Sequence, residues 1–198
     1  MKKTGIKLLM NRWPKCGFQN KGSFINEHLP FVHTEIVFEN KYSIDDIIEW
    51  INNPEEREKW DFDISSYKII QQVGLNKEIV HTVYNDISID ILSRDFIENK
   101  LMFYTPNSDL QQVYITLSSS VSDSILYPEK DITRWETLFH LAIYEPQLNG
   151  TNIIQSYTQI NPNLTEITLL SMKRFINRRF IKWWSSLKKY LDTYKILK

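Results

Sequence analysis

The feature that most limits how this chain can fold is an uninterrupted helical stretch at its C-terminus. No proline or glycine follows Pro162, and Asn163 with Glu166 forms a capping pair at the start of the stretch. A helix of about thirty residues would be roughly 45 Å long. Because its apolar stripe is too wide to leave in water, we expect the helix to lie across a sheet. The stripe consists of Leu169, Met172, Ile176, Phe180, Trp183, Leu187, Tyr190 and Tyr194.

The middle of the chain supplies the segments from which such a sheet can form. Seven segments are rich in β-branched and aromatic residues, and Asn, Asp, Gly, Pro or Ser turns separate them. The simplest arrangement is a meander of antiparallel strands. The segments are 31–40, 67–74, 77–85, 94–105, 110–120, 134–145 and 151–160.

Two short helices are predicted between the first and second of these segments. In "YSIDDIIEW", Ser43 can cap a helix whose isoleucines fall at helical spacing, with Asp46 three residues after the cap. In "NNPEEREKWD", Asn53 can cap a second helix and Pro54 suits its first position. We therefore expect two short helices after the first strand and before the other six.

Composition narrows the class of protein. Twenty-four basic and twenty-four acidic side chains cancel, so the chain lacks the overall field of a nucleic-acid-binding protein. Hydrophobic residues make up 42% and aromatic residues 13%, which suffices for a core and a pocket lining. Cys16 is the single cysteine, which excludes an internal disulfide and is typical of a reducing compartment. Lys7 and Arg12 interrupt the N-terminal apolar run, so we predict one cytoplasmic domain over residues 1–198 without a signal peptide or membrane span.

Motifs of common enzymes are missing from the sequence. There is no G-x-S-x-G elbow, H-E-x-x-H pair, Walker loop or G-x-G-x-x-G loop. The four histidines lie on different segments without the spacing of metal ligands. No catalysis, metal or cofactor is therefore expected.

Three short motifs, in this order, resemble those of the StAR-related lipid-transfer (START) domain. "NPEEREKWD" is similar to the family's R-x-x-W-D, "SRDFIENK" to its R-D-F/Y strand, and "DITRWE" to its V-x-R strand. The resemblance covers about residues 20–195. It implies an α+β helix-grip fold in which a curved antiparallel sheet wraps around the long C-terminal helix and encloses a cavity for one lipid. It also implies a monomeric, non-enzymatic carrier that transfers a lipid, here a phospholipid, between membranes.

The arginine of R-x-x-W-D is Arg57, and in phospholipid-binding members it meets the lipid phosphate. A planar guanidinium suits this task because it can bond two phosphate oxygens at once. The alternative is a surface arginine paired with Glu56 or Glu58. Trp60 is expected to pack in the core.

The other two motifs supply further candidates on strands. Lys100 matches a basic position that some sterol-binding members turn into the cavity, and its alternative is a solvent-facing lysine. Arg94 and Asp95 are expected to form a structural pair. Strand periodicity puts every second residue from position 134 on one face, and the resemblance turns that face toward the cavity. The face consists of Arg134, Glu136, Leu138 and His140.

Choline-binding members hold the quaternary ammonium with aromatic side chains. At the matching positions this chain has Val83, Phe96 and Leu138, of which one is aromatic. Tyr84 or Trp135 could substitute if the register differs by one. We therefore expect open headgroup choice, with lipid-binding residues Arg57, Val83, Phe96, Lys100, Arg134, Glu136, Leu138 and His140.

Basic residues of the C-terminal helix form a candidate membrane-docking face. They could attract the helix to anionic headgroups, at about 1 kcal/mol for each well-placed charge. The alternative is a solvated helix face. The predicted docking residues are Lys173, Arg174, Arg178, Arg179 and Lys182.

Other functions remain open at this point. Related cavities host enzymes, so His140 with Glu136 and a bound water could support a hydrolase or cyclase. A sterol or ceramide could replace the phospholipid. A ligand-sensing interaction module is the third class, and the sequence carries no fused domain to favour it.

Overall fold

A curved antiparallel sheet and three helices make up the described part of the chain. The computed structural model describes residues 5–11, 29, 31–38, 42–86, 93–121, 132–148, 150–161 and 169–197, with the backbone alone for 5–11, 31, 169–177 and 194–197. The helices are α1 (Ile44–Asn52), α2 (Pro54–Arg57) and α3 (Leu169–Leu197). The strands are β1 (Gly5–Asn11), β2 (Phe31–Phe38), β3 (Ile64–Gly74), β4 (Lys77–Tyr84), β5 (Arg94–Pro106), β6 (Gln112–Ser120), β7 (Thr133–Arg134), β8 (Glu136–Pro146) and β9 (Asn152–Asn161).

The sheet departs from a simple meander at its first two strands. Its order is β1-β2-β9-β8-β6-β5-β4-β3, and the two-residue β7 pairs parallel with β5. The seven predicted strands are all present, but β2 pairs with β9 instead of its neighbour in sequence. The helical pair α1 and α2 separates β2 from β3, so β2 is free to join the last strand. β1 was not predicted, because its residues read as an interrupted signal-like run.

Local capping signals are confirmed for α1 and α2. The Ser43 hydroxyl accepts a hydrogen bond from the Asp46 backbone N–H at 3.0 Å. The Asn53 side chain accepts one from the Glu55 N–H at 2.9 Å, and Pro54 is the first residue of α2. The Asn163 and Glu166 pair lies outside the described residues.

The long C-terminal helix packs against the inner face of the sheet, as expected for a helix-grip fold. Leu187 and Leu191 are fully buried, and the Trp184 ring meets the Phe38 ring edge to face at 4.7 Å. Each fully buried leucine contributes about 1.5–3 kcal/mol. Tyr42 donates a hydrogen bond to Asp192, which ties the C-terminal half of α3 to the segment before α1. The predicted grip of sheet on helix is therefore confirmed.

Trp60 joins the same core, as predicted. Its indole N–H donates to the Trp50 carbonyl at 2.9 Å, and its ring lies 5.3 Å from the Trp183 ring. Only 1% of its surface is exposed. The tryptophan of the R-x-x-W-D motif thus fixes α2 against α1 and α3. None of the described helices combines the length and hydropathy needed to cross a bilayer.

Candidate functional site

A cavity of about 240 Å³ lies between the inner face of the sheet, the two short helices and α3. Strands β2, β4, β5, β6 and β9 contribute every second residue, so most of the lining follows the strand period. Apolar and aromatic side chains dominate, and charged groups stand among them. The described lining includes Val32, Thr34 and Ile36 of β2, Val80, Thr82 and Tyr84 of β4, Phe96, Glu98 and Lys100 of β5, Thr116 and Ser118 of β6, Ile154, Ser156, Thr158 and Ile160 of β9, and Arg179, Phe180 and Trp183 of α3.

Arg57, the last residue of α2, lines this cavity. Its Nε donates to Asp61 Oδ2 at 3.2 Å, its Nη1 to the Ile51 carbonyl at 3.4 Å, and its guanidinium lies 4.7 Å over the Tyr67 ring. Burial acts to lower the pKa of Arg57, but Asp61, Tyr84 and Tyr67 together outweigh it and the net shift is upward, so the guanidinium stays charged.

The alternative surface pairing of Arg57 is not observed. Glu56 accepts hydrogen bonds from Lys59 and Tyr190, and Glu58 accepts one from the Tyr67 backbone N–H. The aspartate of the R-x-x-W-D motif therefore partners its arginine, at the i, i+4 spacing that helical geometry brings together.

Lys100 also lines the cavity and is buried, which excludes the solvent-facing alternative. Its Nζ donates to Glu78 Oε1 and to the Tyr67 hydroxyl, each at 3.1 Å. Glu78 is 4% exposed, so both members of the ion pair are withdrawn from water. The opposite charges of Lys100 and Glu78 offset the cost of burying each other, as is usual for buried charges.

Glu98 is a cavity residue that the sequence analysis missed. It lies two residues before Lys100 on β5 and therefore shares its face. Burial raises the pKa of the Glu98 carboxyl, and a hydrogen bond from the Thr137 side chain partly opposes this rise. The strand period of two, counted back from Lys100, would also have found Glu98.

A β-bulge corrects the prediction for β8. Thr137 pairs with Ile160 and Phe139 with Gln159, so Leu138 is an extra residue in the ladder. Before the bulge Trp135 and Thr137 face the cavity, and after it His140 does. The alternation assumed from the sequence breaks at Leu138, and so Arg134, Glu136 and Leu138 do not line the cavity.

Arg134 and Glu136 make structural contacts instead. Arg134 Nε donates to Asp95 Oδ1 at 3.1 Å, and His81 Nε2 lies 3.1 Å from Asp95 Oδ2. Glu136 accepts a hydrogen bond from the Asn161 amide at 3.0 Å. Asp95 has the expected structural role, but its partners are Arg134 and His81, and Arg94 donates to the Ser93 carbonyl instead.

His140 reaches the cavity without its expected partner. Its Nδ1 lies 2.7 Å from the Thr158 hydroxyl. Burial, together with the charges of Arg57 and Lys100, lowers the pKa of His140 to about 4, so the imidazole is neutral at pH 7. Because Glu136 is not on the cavity face, the His140 and Glu136 arrangement considered for a hydrolase or cyclase is not assembled.

The aromatic positions differ by one residue from those matched by sequence. Val83 is buried but does not line the cavity, since Thr82 and Tyr84 take the inner face of β4. Tyr84, Phe96 and Trp135 form a chain of rings, with centroids 5.4 Å and 6.0 Å apart. Tyr84 and Trp135 thus supply the aromatic side chains that Val83 and Leu138 lack.

The predicted docking face of α3 is partly engaged in contacts within the protein. Arg179 lies with its guanidinium carbon 3.6 Å from the Tyr84 ring centroid and lines the cavity. Lys182 bonds Asp63, and Arg178 is exposed. The side chains of Lys173 and Arg174 lie outside the described residues. Arg179 therefore belongs to the cavity wall and not to the outer helix face.

The described residues hold no group of three or more His, Cys, Asp or Glu side chains placed to bind a metal ion. The candidate site is a largely apolar and aromatic cavity with two arginines, a lysine and a carboxyl group on its walls.

Comparison with known proteins identifies the architecture. No family model and no curated protein matches the sequence. Among solved structures, human StAR-related lipid transfer protein 5 superposes with a TM-score of 0.72 at 13% identity, over 96% of this chain and 84% of that one. Human STARD10 gives 0.72 at 14% identity, over 98% and 74%. A STAR-related lipid transfer protein from Xanthomonas axonopodis gives 0.64 at 14% identity, over 95% and 94%. The chain therefore has the fold of StAR-related lipid-transfer domains.

Proposed function

We propose that this START-fold chain binds one phospholipid in its internal cavity and transfers it between membranes. The single observation that carries the proposal is the position of Arg57, a permanently charged guanidinium on the wall of an otherwise largely apolar and aromatic cavity. Acyl chains would occupy the apolar part of the cavity and the phosphate would meet Arg57. The fold shared with lipid transfer proteins supports the same function.

Arg57 retains the capacity to bind a phosphate. A guanidinium has five N–H donors in a planar fork, and the described contacts use Nε and one Nη1 hydrogen. Asp61 orients the group, and the Tyr67 ring supports one of its faces. The remaining donors suit two oxygens of a phosphate.

Lipid binding requires the cavity to expand. A volume of about 240 Å³ is below the roughly 300–1000 Å³ typical of small-molecule pockets. The burial of acyl chains supplies about 0.8 kcal/mol for each methylene, which is enough to displace weakly held side chains. α3 carries Arg179, Phe180 and Trp183 on the cavity wall, so a shift of this helix would enlarge the space.

Contact with a membrane would allow the chains to enter and leave without crossing water. The exposed Arg178 and the neighbouring basic residues of α3 are the proposed contact, attracted by anionic headgroups. A monomeric state, a cytoplasmic location and one domain over residues 1–198 stay predictions of the sequence.

The test is to identify the bound lipid and to measure its transfer. The protein is purified, its intact mass is recorded under native conditions, and the released ligand is identified. Transfer of a fluorescent phospholipid between liposomes is then compared for Arg57→Ala and for Lys59→Ala, which removes an exposed cation of the adjacent turn.

We expect one phospholipid bound per protein molecule. The transfer rate should fall at least tenfold in Arg57→Ala, since a charge-assisted hydrogen bond contributes about 1.5–3 kcal/mol, and should be unchanged in Lys59→Ala. A bound sterol, or full transfer by a folded Arg57→Ala protein, would overturn the phospholipid assignment. A protein that takes up no lipid from mixed liposomes would overturn the carrier function itself.

A further inference from the structure

Glu98 is the only carboxylate among the described residues that line the cavity. The cavity residues Arg57 and Lys100 already have carboxylate partners, Asp61 for Arg57 and Glu78 for Lys100. No described cation lies within ion-pair distance of Glu98 itself. Its carboxyl group is therefore the cavity charge that lacks a compensating partner of its own.

The hydrogen bonds of Glu98 are also incomplete. A carboxylate offers about four acceptor positions, and the Thr137 hydroxyl serves one of them. Burial of such a group is costly unless donors compensate it, which agrees with the raised pKa of Glu98. A ligand that brings N–H donors and a positive charge into the cavity would remove this cost.

We propose that Glu98 selects the headgroup by accepting hydrogen bonds from a primary ammonium while Arg57 binds the phosphate, so that the ligand belongs to the phosphoethanolamine class. This inference rests on the proposed function. Arg57 and Lys100 both contact Tyr67, at 4.7 Å over its ring and at 3.1 Å from its hydroxyl, and Glu98 lies two residues before Lys100 on the same face of β5, so the three charges share one part of the cavity. A headgroup with phosphate and ammonium joined by a two-carbon bridge matches this arrangement of opposite charges.

A quaternary ammonium fits the same walls poorly. It has no N–H to donate to Glu98, and it is best held by open aromatic faces. Tyr84 already has the guanidinium of Arg179, another cavity residue, over its ring at 3.6 Å. A cation of the protein thus uses a ring face in the cavity that a choline group would need.

The first test uses the wild-type protein and lipids that differ only in methylation of the headgroup nitrogen. Phosphatidylethanolamine, its N-methyl and N,N-dimethyl forms and phosphatidylcholine, all with the same acyl chains, compete for the protein in one set of mixed vesicles. Bound lipid is quantified by native mass spectrometry. We expect occupancy to fall with each N–H removed, by about tenfold across the series. Equal occupancy, or a preference for phosphatidylcholine, would overturn the inference.

The second test compares Glu98→Gln with Glu35→Gln. Glu35 lies between the cavity residues Thr34 and Ile36 on β2 and therefore points to the outer face, so its variant is a matched control. Glu98→Gln is expected to bring the ratio of ethanolamine to choline lipid close to one, and Glu35→Gln to keep the wild-type ratio. An unchanged ratio in a folded Glu98→Gln protein would refute the role of Glu98.

The outcomes separate this inference from the function on which it rests. Uptake of lipid without headgroup preference would overturn the role of Glu98 alone. No uptake of any lipid would overturn both that role and the proposed carrier function. Phosphatidylglycerol with the same acyl chains is added to the mixture as a further competitor. A preference for it would show that a hydroxyl and not an ammonium meets Glu98, and would overturn the ammonium assignment. If Glu98→Gln fails to fold, the methylation series on wild-type protein decides the question.

Discussion

The guanidinium carbon of Arg179 lies 3.6 Å from the centroid of the Tyr84 ring, so α3 contacts the end of β4 at the cavity wall. One helical turn later, Lys182 of the same helix bonds Asp63, and the Asp63 carbonyl accepts a hydrogen bond from the Asn85 N–H just after β4. Two cations of α3 thus hold the helix to one edge of the sheet. If a lipid enters or leaves the cavity by displacing α3, these two contacts must break or rearrange.

The Arg179 contact is expected to slow lipid exchange. A cation-π contact contributes about 0.5–2 kcal/mol, so Arg179→Ala should release a fluorescent lipid to neutral vesicles several-fold faster than wild type. Neutral vesicles remove the contribution of membrane attraction. Lys188→Ala removes an exposed cation farther along α3 and serves as the control, with an unchanged release rate expected. Equal rates for wild type and Arg179→Ala would show that the contact does not hold the helix during exchange.

Arg134 should matter for stability and not for the ligand. Asp95 is 1% exposed, and its carboxylate bonds both Arg134 and His81. Removing Arg134 leaves this buried charge with one partner, so Arg134→Ala is expected to lower the free energy of unfolding by about 2–4 kcal/mol. The measurement is urea denaturation, with lipid affinity of the folded variant determined separately at low temperature. A large loss of lipid affinity together with normal stability would contradict this assignment and indicate that Arg134 contacts the lipid.

His140 should make the protein less stable in mild acid. Its pKa is about 4 when folded against 6.5 for the free side chain, so between these values the unfolded chain binds a proton that the folded protein does not. Stability is therefore lost as the pH falls through this window, by roughly 2–3 kcal/mol at pH 4.5.

His140→Gln removes this contribution, and the comparison isolates it from other titrating groups such as Asp95. The stability difference between wild type and His140→Gln, measured by urea unfolding at pH 7 and at pH 4.5, should shift by that amount in favour of the variant. The same difference at both pH values would mean that His140 titrates normally.

Leu187 should be essential to the grip of the sheet on α3. Its side chain is fully buried against the core, so Leu187→Ala is expected to cost about 2–5 kcal/mol of unfolding free energy. Ile181 of the same helix is 58% exposed, and Ile181→Ala should change stability by less than about 0.5 kcal/mol. Thermal or urea unfolding of both variants checks the contrast. Similar losses would contradict the packing described for α3.

Much of the architecture was accessible from local sequence patterns. Ser43 and Asn53 were identified as caps, and the seven predicted strands and the long C-terminal helix are present. These features depend on neighbours in sequence, through capping hydrogen bonds and side-chain periodicity, and so the sequence contains the information needed to place them. The resemblance of three short motifs to START domains led to the correct fold.

The faces of individual strands were less accessible. The cavity positions of Arg57, Phe96, Lys100 and His140 agree with the prediction, although their contact with a lipid stays a prediction. Val83 was misplaced by one residue. Glu98 was not predicted because the family motif on its strand points only to basic and aromatic positions.

By itself, the sequence determined most of the helices and strands of this protein and singled out Arg57, whose contact with a lipid phosphate stays a prediction. The tertiary structure alone decided which side chains surround that arginine. A single extra residue at Leu138 reverses the face of β8, which turns Arg134 and Glu136 away and His140 inward. The pairing of β2 with β9 and the approach of Arg179 to Tyr84 join residues far apart in the chain. Such contacts depend on the packed geometry of the whole sheet and helix, and no local pattern encodes them.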